Sequence, residues 1–245
     1  MERVEVEEER LLKLENAVMR DDKVEEVALD AEDFGFSSYI LTTILQSIYE
    51  DKLRKKLEER EILELSLTLD SVNRAINLLE EREMEWKRTF LSGENPSFTA
   101  LIQGITALKD YRKTVVYEIK SRMREECPNL SALTGEILGA RLIAKAGGKK
   151  ELAHLPSSTI QILGAENAFF RFRKTGEGMP KHGLIFQHPL IKGTQKRFRG
   201  KAARALASGI VVAARIDYFS GRDLGDVIKE RIEKRIKDMR RMKEE

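Results

Sequence analysis

In residues 67–90, LTLDSVNRAINLLEEREMEWKRTF, the apolar side chains Val72, Ile76, Leu79, Trp86 and Phe90 follow one another at steps of 4, 3, 7 and 4. On a helix of 3.6 residues per turn those steps keep all five on one side, as a seam of the coiled-coil kind. Leu101, Ile105, Leu108, Val115 and Ile119 repeat the same steps. Between the two runs, LSGENPS supplies Gly, Asn and Pro, and Ser97 can cap a second helix. Two long amphipathic helices joined so tightly are expected to fold back as an antiparallel hairpin, with Trp86 packing in its seam. No segment of the chain sustains a period-2 alternation, so the sequence predicts an all-α fold.

Five prolines (Pro96, Pro128, Pro156, Pro180 and Pro189) divide the 245 residues into helical blocks. Residues 1–33 carry thirteen Asp/Glu against five Lys/Arg, which reads as a short acidic helix or arm. A helix is expected to start after Ser37–Ser38. The composition changes at Cys127–Pro128, where NLSALTGEILGARLIAKAGG is richer in Ala, Gly and Leu and poorer in charge. Asn129 or Ser131 can cap that block, and Gly147–Gly148 can end it. KKELAHL and SSTIQIL read as short helices, with His154 at a helix end near carbonyls. KRFRGKAARALASGIVVAARIDYFS reads as a long helix and RDLGDVIKERIEKRIKDMRRMKEE as a charged last one. The expected organisation is an acidic arm over 1–36, a coiled-coil region over 37–126 and a compact helical domain over 127–245.

The residue types available exclude most chemistry. Cys127 is the single cysteine, so there is no intramolecular disulfide or cysteine-based zinc cluster to build. It is expected to act as a small, semi-buried apolar residue. The chain shows no GxxxxGK[ST], no HExxH and no nucleophile elbow, and KTGEGMPKHG is not a GxGxxG following a strand. His182 and His188 have only Glu177 nearby as a further ligand, too few for a zinc site, so no metal, cofactor or catalytic residue is expected. The acidic opening MERVEVEEER is unlike a signal peptide, and the longest apolar approach, Ala205 to Ala214, is a core-helix segment rather than a membrane span. The expected location is cytoplasmic.

One region stands apart. Residues 171–204 hold ten Lys/Arg against a single acid, Glu177, although the whole chain is only +3. A local basic block in a near-neutral chain points to one polyanion-binding face. Arg171, Arg173, Lys174, Lys181, Arg197, Arg199, Lys201 and Arg204 can neutralise phosphates, and imidazole or aromatic planes can stack on unpaired bases. Gly176, Gly178 and Gly183 permit backbone amides to come close to a phosphate. Most of Phe169, Phe170, Phe172 and Phe186 are expected in the core.

Taken in order, NLSALTGEILGARLIAKAGG, LPSSTIQILGAENAFFRF, PKHGLIFQHPLI and RGKAARALASGIVVAARIDYFSG resemble the Nop domain. That family comprises core proteins of archaeal and nucleolar box C/D guide ribonucleoproteins and a related spliceosomal factor. The resemblance covers about residues 128–245, and LDSVNRAINLLEEREMEWKRTF is similar to the coiled-coil helix preceding the domain. It implies a non-enzymatic scaffold that binds a kink-turn RNA together with a small kink-turn-binding protein. By position, the GAEK-type motif falls on Gly164, Ala165, Glu166 and Asn167, with Asn167 in place of the usual lysine. The family histidine that lies against RNA falls on His188, and the basic start of the RGKAARA helix would approach the RNA backbone through Arg199, Lys201 and Arg204; His182, in the basic block itself, is a further candidate RNA contact. The hairpin connection is much shorter than in family members that self-associate through the coiled coil, which leaves self-association open. The mixed α/β domain that docks fibrillarin is not recognisable ahead of the coiled coil, so either the chain is a short form or that region serves another partner, and fibrillarin docking is in doubt. The alternative is a protein-interaction adaptor using the coiled coil and acidic arm, with RNA binding weakened or lost.

Overall fold

A computed structural model of the protein describes residues 38–89 and 95–241, with side-chain detail between residues 60 and 238. The acidic arm, Phe90 and the first half of LSGENPS lie outside the described residues. The chain divides into two units, Met1–Glu59 and Arg60–Glu245. Every regular element among the described residues is a helix, as the missing strand periodicity requires.

Helix α1 runs from Ser38 to Thr89 without a break. The two helical blocks read from sequence in this region are one element, because no Gly or Pro interrupts residues 38–89. Helix α2 spans Pro96–Glu126. Its cap is Asn95 rather than Ser97: the Asn95 side chain accepts from the Ser97 amide at 2.9 Å, and Pro96 takes the first helical position. Glu61 pairs with Arg122, Glu80 with Lys109, and the Trp86 and Phe98 rings meet at 5.6 Å. Pairs whose numbers rise on one helix and fall on the other define an antiparallel hairpin. Ile62, Leu69, Val72 and Ile76 are buried in its seam, extending the heptad toward the amino-terminal side, whereas Leu79 and Trp86 are half-buried. The two-helix seam thus closes best where it meets the rest of the core.

That core belongs to Arg60–Glu245. The helices after α2 are α3 (Pro128–Thr134), α4 (Glu136–Ala146), α5 (Lys149–His154), α6 (Ser157–Ile162), α7 (Glu166–Thr175), a 3-10 turn (Leu184–Gln187), α8 (Pro189–Lys192), α9 (Arg199–Phe219) and α10 (Gly225–Arg241). Helix α9 is the central rod. Its buried positions are mostly alanine, with Leu206, Ile210 and Val211, and this small-residue surface lets α3, α5, α6 and α10 approach it. Helix α10 contributes Ile228, Ile232 and Ile236, an every-fourth-residue stripe in an otherwise charged helix. The inner hairpin residues Ile62, Leu69, Val115, Ile119 and Met123 join the same core.

Neither Asn129 nor Ser131 caps α3. Its free amides are taken from across the core by Asp217 of α9, which accepts from the Asn129 amide at 3.0 Å and the Leu130 amide at 2.8 Å. The Asn129 side chain donates to the same carboxylate and to the Arg222 carbonyl, and accepts from the Leu224 amide. Cys127, just before, is 2% exposed. Burial, reinforced by the Asp217 charge, pushes its thiol up to about 12, so it is inert at neutral pH. Gly147 ends α4 with φ +100, as the paired glycines predict. His154 closes α5 with Nδ1 2.7 Å from the Lys150 carbonyl oxygen.

Candidate nucleic-acid interface

The GAEN turn shapes one side of the basic region. Gly164 has φ +85, and the Glu166 carboxylate accepts from its amide at 2.8 Å while pairing with Lys145 at 3.3 Å. Partial burial works against ionisation of Glu166. The amide donors at Gly164 and Glu166 and the Lys145 ammonium outweigh it and hold the carboxyl below its usual range. Glu166 therefore secures the turn, Ala165 stands at the start of α7, and Asn167 is exposed on its first turn.

Helix α7 contributes no buried residue. Arg171, Arg173 and Lys174 are exposed, and Phe170 is 60% exposed. Phe169 and Phe172 are half-buried, their rings 6.5 Å apart, and Phe186 is half-buried as well. Phe186 packs against the core, but the expectation that most of these phenylalanines lie there is corrected for the three of α7, which alternates aromatic and basic side chains too closely to hide the first while solvating the second.

After α7 the chain returns and is pinned to α6. The Gly183 amide donates to the Gln161 carbonyl at 2.9 Å, the Leu184 amide to the Leu163 carbonyl at 2.7 Å, and Gln161 Nε2 to the Lys181 carbonyl at 2.8 Å. A Cβ at position 183 would lie 2.0 Å from the Leu163 carbonyl oxygen, so only glycine allows this approach. The pinning presents Met179, Pro180 and Lys181 to the amino-terminal turns of α9.

There four of the eight expected cations come together, while Arg171, Arg173, Lys174 and Arg199 stand outside. Lys181, Arg197, Lys201 and Arg204 line a cleft of about 540 Å³, together with Arg235 from α10. Gln161, Met179, Pro180, Gly200 and Ala205 also line it, and among the described residues no acidic side chain takes part. Arg235 is not among the candidates legible in the sequence, where the last helix reads only as a charged one. The α10 isoleucine stripe, once docked on α9, carries Arg235 to the cleft; no local pattern announces it.

The two histidines separate. The His182 ring stacks on Phe186, centroids 4.4 Å apart and planes 15° apart, and the Arg199 guanidinium lies 5.3 Å from the same ring. Burial, then the Arg199 and Lys181 charges, lower the His182 pKa and favour a neutral ring. His188 is 8% exposed. Its Nε2 is 3.0 Å from the Leu133 carbonyl oxygen, and its Nδ1 accepts from the Leu190 amide at 3.2 Å, which caps α8. Both ring nitrogens are used inside the protein, and burial lowers its pKa too.

A profile of the Nop family, described as "snoRNA binding domain, fibrillarin", matches residues 41–238. An uncharacterised NOP5 family protein of Methanocaldococcus jannaschii is 47% identical over 137 residues, covering 56% of this chain and 33% of that protein. Human nucleolar protein 56 is 36% identical over 194 residues, covering 78% of this chain and 31% of that protein. Nucleolar protein 58 of Schizosaccharomyces pombe is 44% identical over 123 residues, half of this chain and 24% of that protein. The chain therefore spans about a third or less of the curated relatives it matches. A chain in the crystal structure of the fibrillarin/Nop5p complex superposes with a TM-score of 0.62 and 28% identity, over 91% of this chain and 90% of that one. The cytoplasmic expectation is corrected by these relatives, two of which are named as nucleolar proteins.

Proposed function

Because the chain belongs to the Nop snoRNA-binding domain family, we propose that it is a non-enzymatic scaffold that binds a box C/D-type kink-turn RNA jointly with a small kink-turn-binding protein. The observation that carries this reading is the cleft, where five cations meet with no acid among the described lining residues. Lys181, Arg197, Lys201, Arg204 and Arg235 neutralise phosphates and release their counterions. Arg171, Arg173 and Lys174 of α7, with the exposed Phe170, form a second basic and aromatic surface suited to a composite RNA–protein partner. His188 is assigned a positioning role, since its ring is enclosed and its nitrogens hold α8. Gly164, Ala165, Glu166 and Asn167 set the start of α7, and Asn167 is the member free to touch a partner.

The test is a gel shift on box C/D RNA with the kink-turn protein present. Lys201→Gln combined with Arg204→Gln is expected to weaken the ternary complex about tenfold or more. Both side chains are exposed, so folding is not at issue. An unchanged shift overturns the assignment.

The adaptor reading keeps one specific observation in its favour. The hairpin exposes Leu78, Met84, Tyr111 and Tyr117, apolar side chains that a protein partner could cover. Self-association or protein capture through α1 and α2 follows from it, measured by light scattering on the purified chain. Fibrillarin, present with the structural relative, is tested in the same material by co-purification; its retention reverses the expectation drawn from the amino-terminal region.

A further inference from the structure

The cleft differs from a flat basic surface in having a depth, an uncharged part to its lining and a shelf. We propose that it is a pocket for a single unstacked nucleotide of the bound RNA, its base lying on the Arg197 guanidinium and its phosphate held by Lys201, Arg204 and Arg235. The proposal rests on the RNA-binding reading and specifies what the RNA must offer.

The shelf is the decisive feature. The Arg197 guanidinium lies over the Phe198 ring, 4.6 Å from its centroid, and Arg197 Nε donates to the Gln195 side-chain oxygen at 3.0 Å. One face of the cation is covered by the ring and its tilt is fixed by the hydrogen bond. The side chain is exposed and lines the cleft. A guanidinium held this way is an ordered plane on which a base can stack, with less ordering entropy left to lose on binding. Met179, Pro180 and Ala205 give the cleft an apolar share suited to a base edge, and Gln161 lines it with an amide. A volume of about 540 Å³ falls within the roughly 300–1,000 Å³ typical of small-ligand pockets. Paired bases within a duplex cannot enter, because their faces are already stacked on one another.

The experiment uses the full chain and three probes: a fluorescent single-stranded RNA of about eight nucleotides, the same sequence as a duplex, and inorganic tripolyphosphate as competitor. Wild-type protein is expected to bind the single strand more tightly than the duplex. Arg197→Lys keeps the charge and loses the plane. It is expected to weaken single-strand binding at least about fivefold while leaving tripolyphosphate competition unchanged. Arg235→Gln is expected to weaken both. If Arg197→Lys binds the single strand like wild type, or if the duplex binds as well as the single strand, the pocket proposal is overturned and the RNA reading survives. If tripolyphosphate competition falls together with single-strand binding in Arg197→Lys, Arg197 is only a phosphate contact and the shelf is wrong. If wild-type protein binds neither RNA probe yet shifts box C/D RNA with the kink-turn protein present, the pocket alone is overturned; if it shifts no box C/D RNA either, the RNA reading falls first and takes the pocket with it.

Discussion

His188 is where position and environment part company. The GLIFQHPL segment marks it as notable, but its ring is built into the fold by the Leu133 carbonyl, which lies 55 positions away in sequence. Protonation would add a proton to Nδ1, the atom that accepts from the Leu190 amide. Burial also disfavours the cation, and of the charged groups on α10, Glu233 favours it while Lys229 opposes it. The folded pKa is therefore below the unfolded one, and the unfolded chain binds more protons as pH falls past the unfolded histidine value of about 6.5. The resulting stability is complete above that pH and is lost progressively below it. His188→Asn keeps a side-chain oxygen for the α8 cap and cannot titrate. Thermal melts from pH 7.5 to 5.5 are expected to show a smaller decline for His188→Asn than for wild type. Parallel declines would show that another group carries the effect, such as His182, also held neutral and titrating in the same range.

At the scale of elements, helices were legible and their fastenings were not. The 4-3-7-4 spacing found both hairpin helices, and the absence of Gly and Pro accounts for the continuity of α1. Capping was harder to read, because a local candidate such as Ser97 or Asn129 competes with partners the sequence does not place nearby. Asp217 illustrates the point: it lies near the end of α9, yet it serves the first amides of α3 and the Asn129 side chain. Asp217→Asn is expected to destabilise the protein by about 1–3 kcal/mol, since an NH₂ group would face buried N–H donors. Urea unfolding checks it. A midpoint equal to wild type would mean that α3 finds its cap elsewhere. The phenylalanines of α7 were misread for a related reason: hydrophobicity alone does not say whether a ten-residue helix will find a core to enter.

For the molecule as a whole, net charge conceals the feature that matters. The chain is +3 overall, yet Lys181, Arg197, Lys201, Arg204 and Arg235 converge on one cleft from two loops and two helices. Four of the five were legible as a run of cations with a single acid; Arg235 was not, because only the docking of α10 on α9 brings it there. Salt dependence separates a convergent site from diffuse charge. Each phosphate neutralised on a single strand contributes about 0.7 to the magnitude of the slope of log K against log salt. Arg235→Gln is expected to reduce that magnitude by about 0.7. Lys150→Gln removes the same charge from an exposed position on α5 outside the cleft and is expected to leave the slope unchanged. The comparison is made by fluorescence titration of single-stranded RNA at several salt concentrations. Equal reductions in the two variants would mean that RNA senses the charge of the whole surface, and the cleft would lose its claim as the place where phosphates bind.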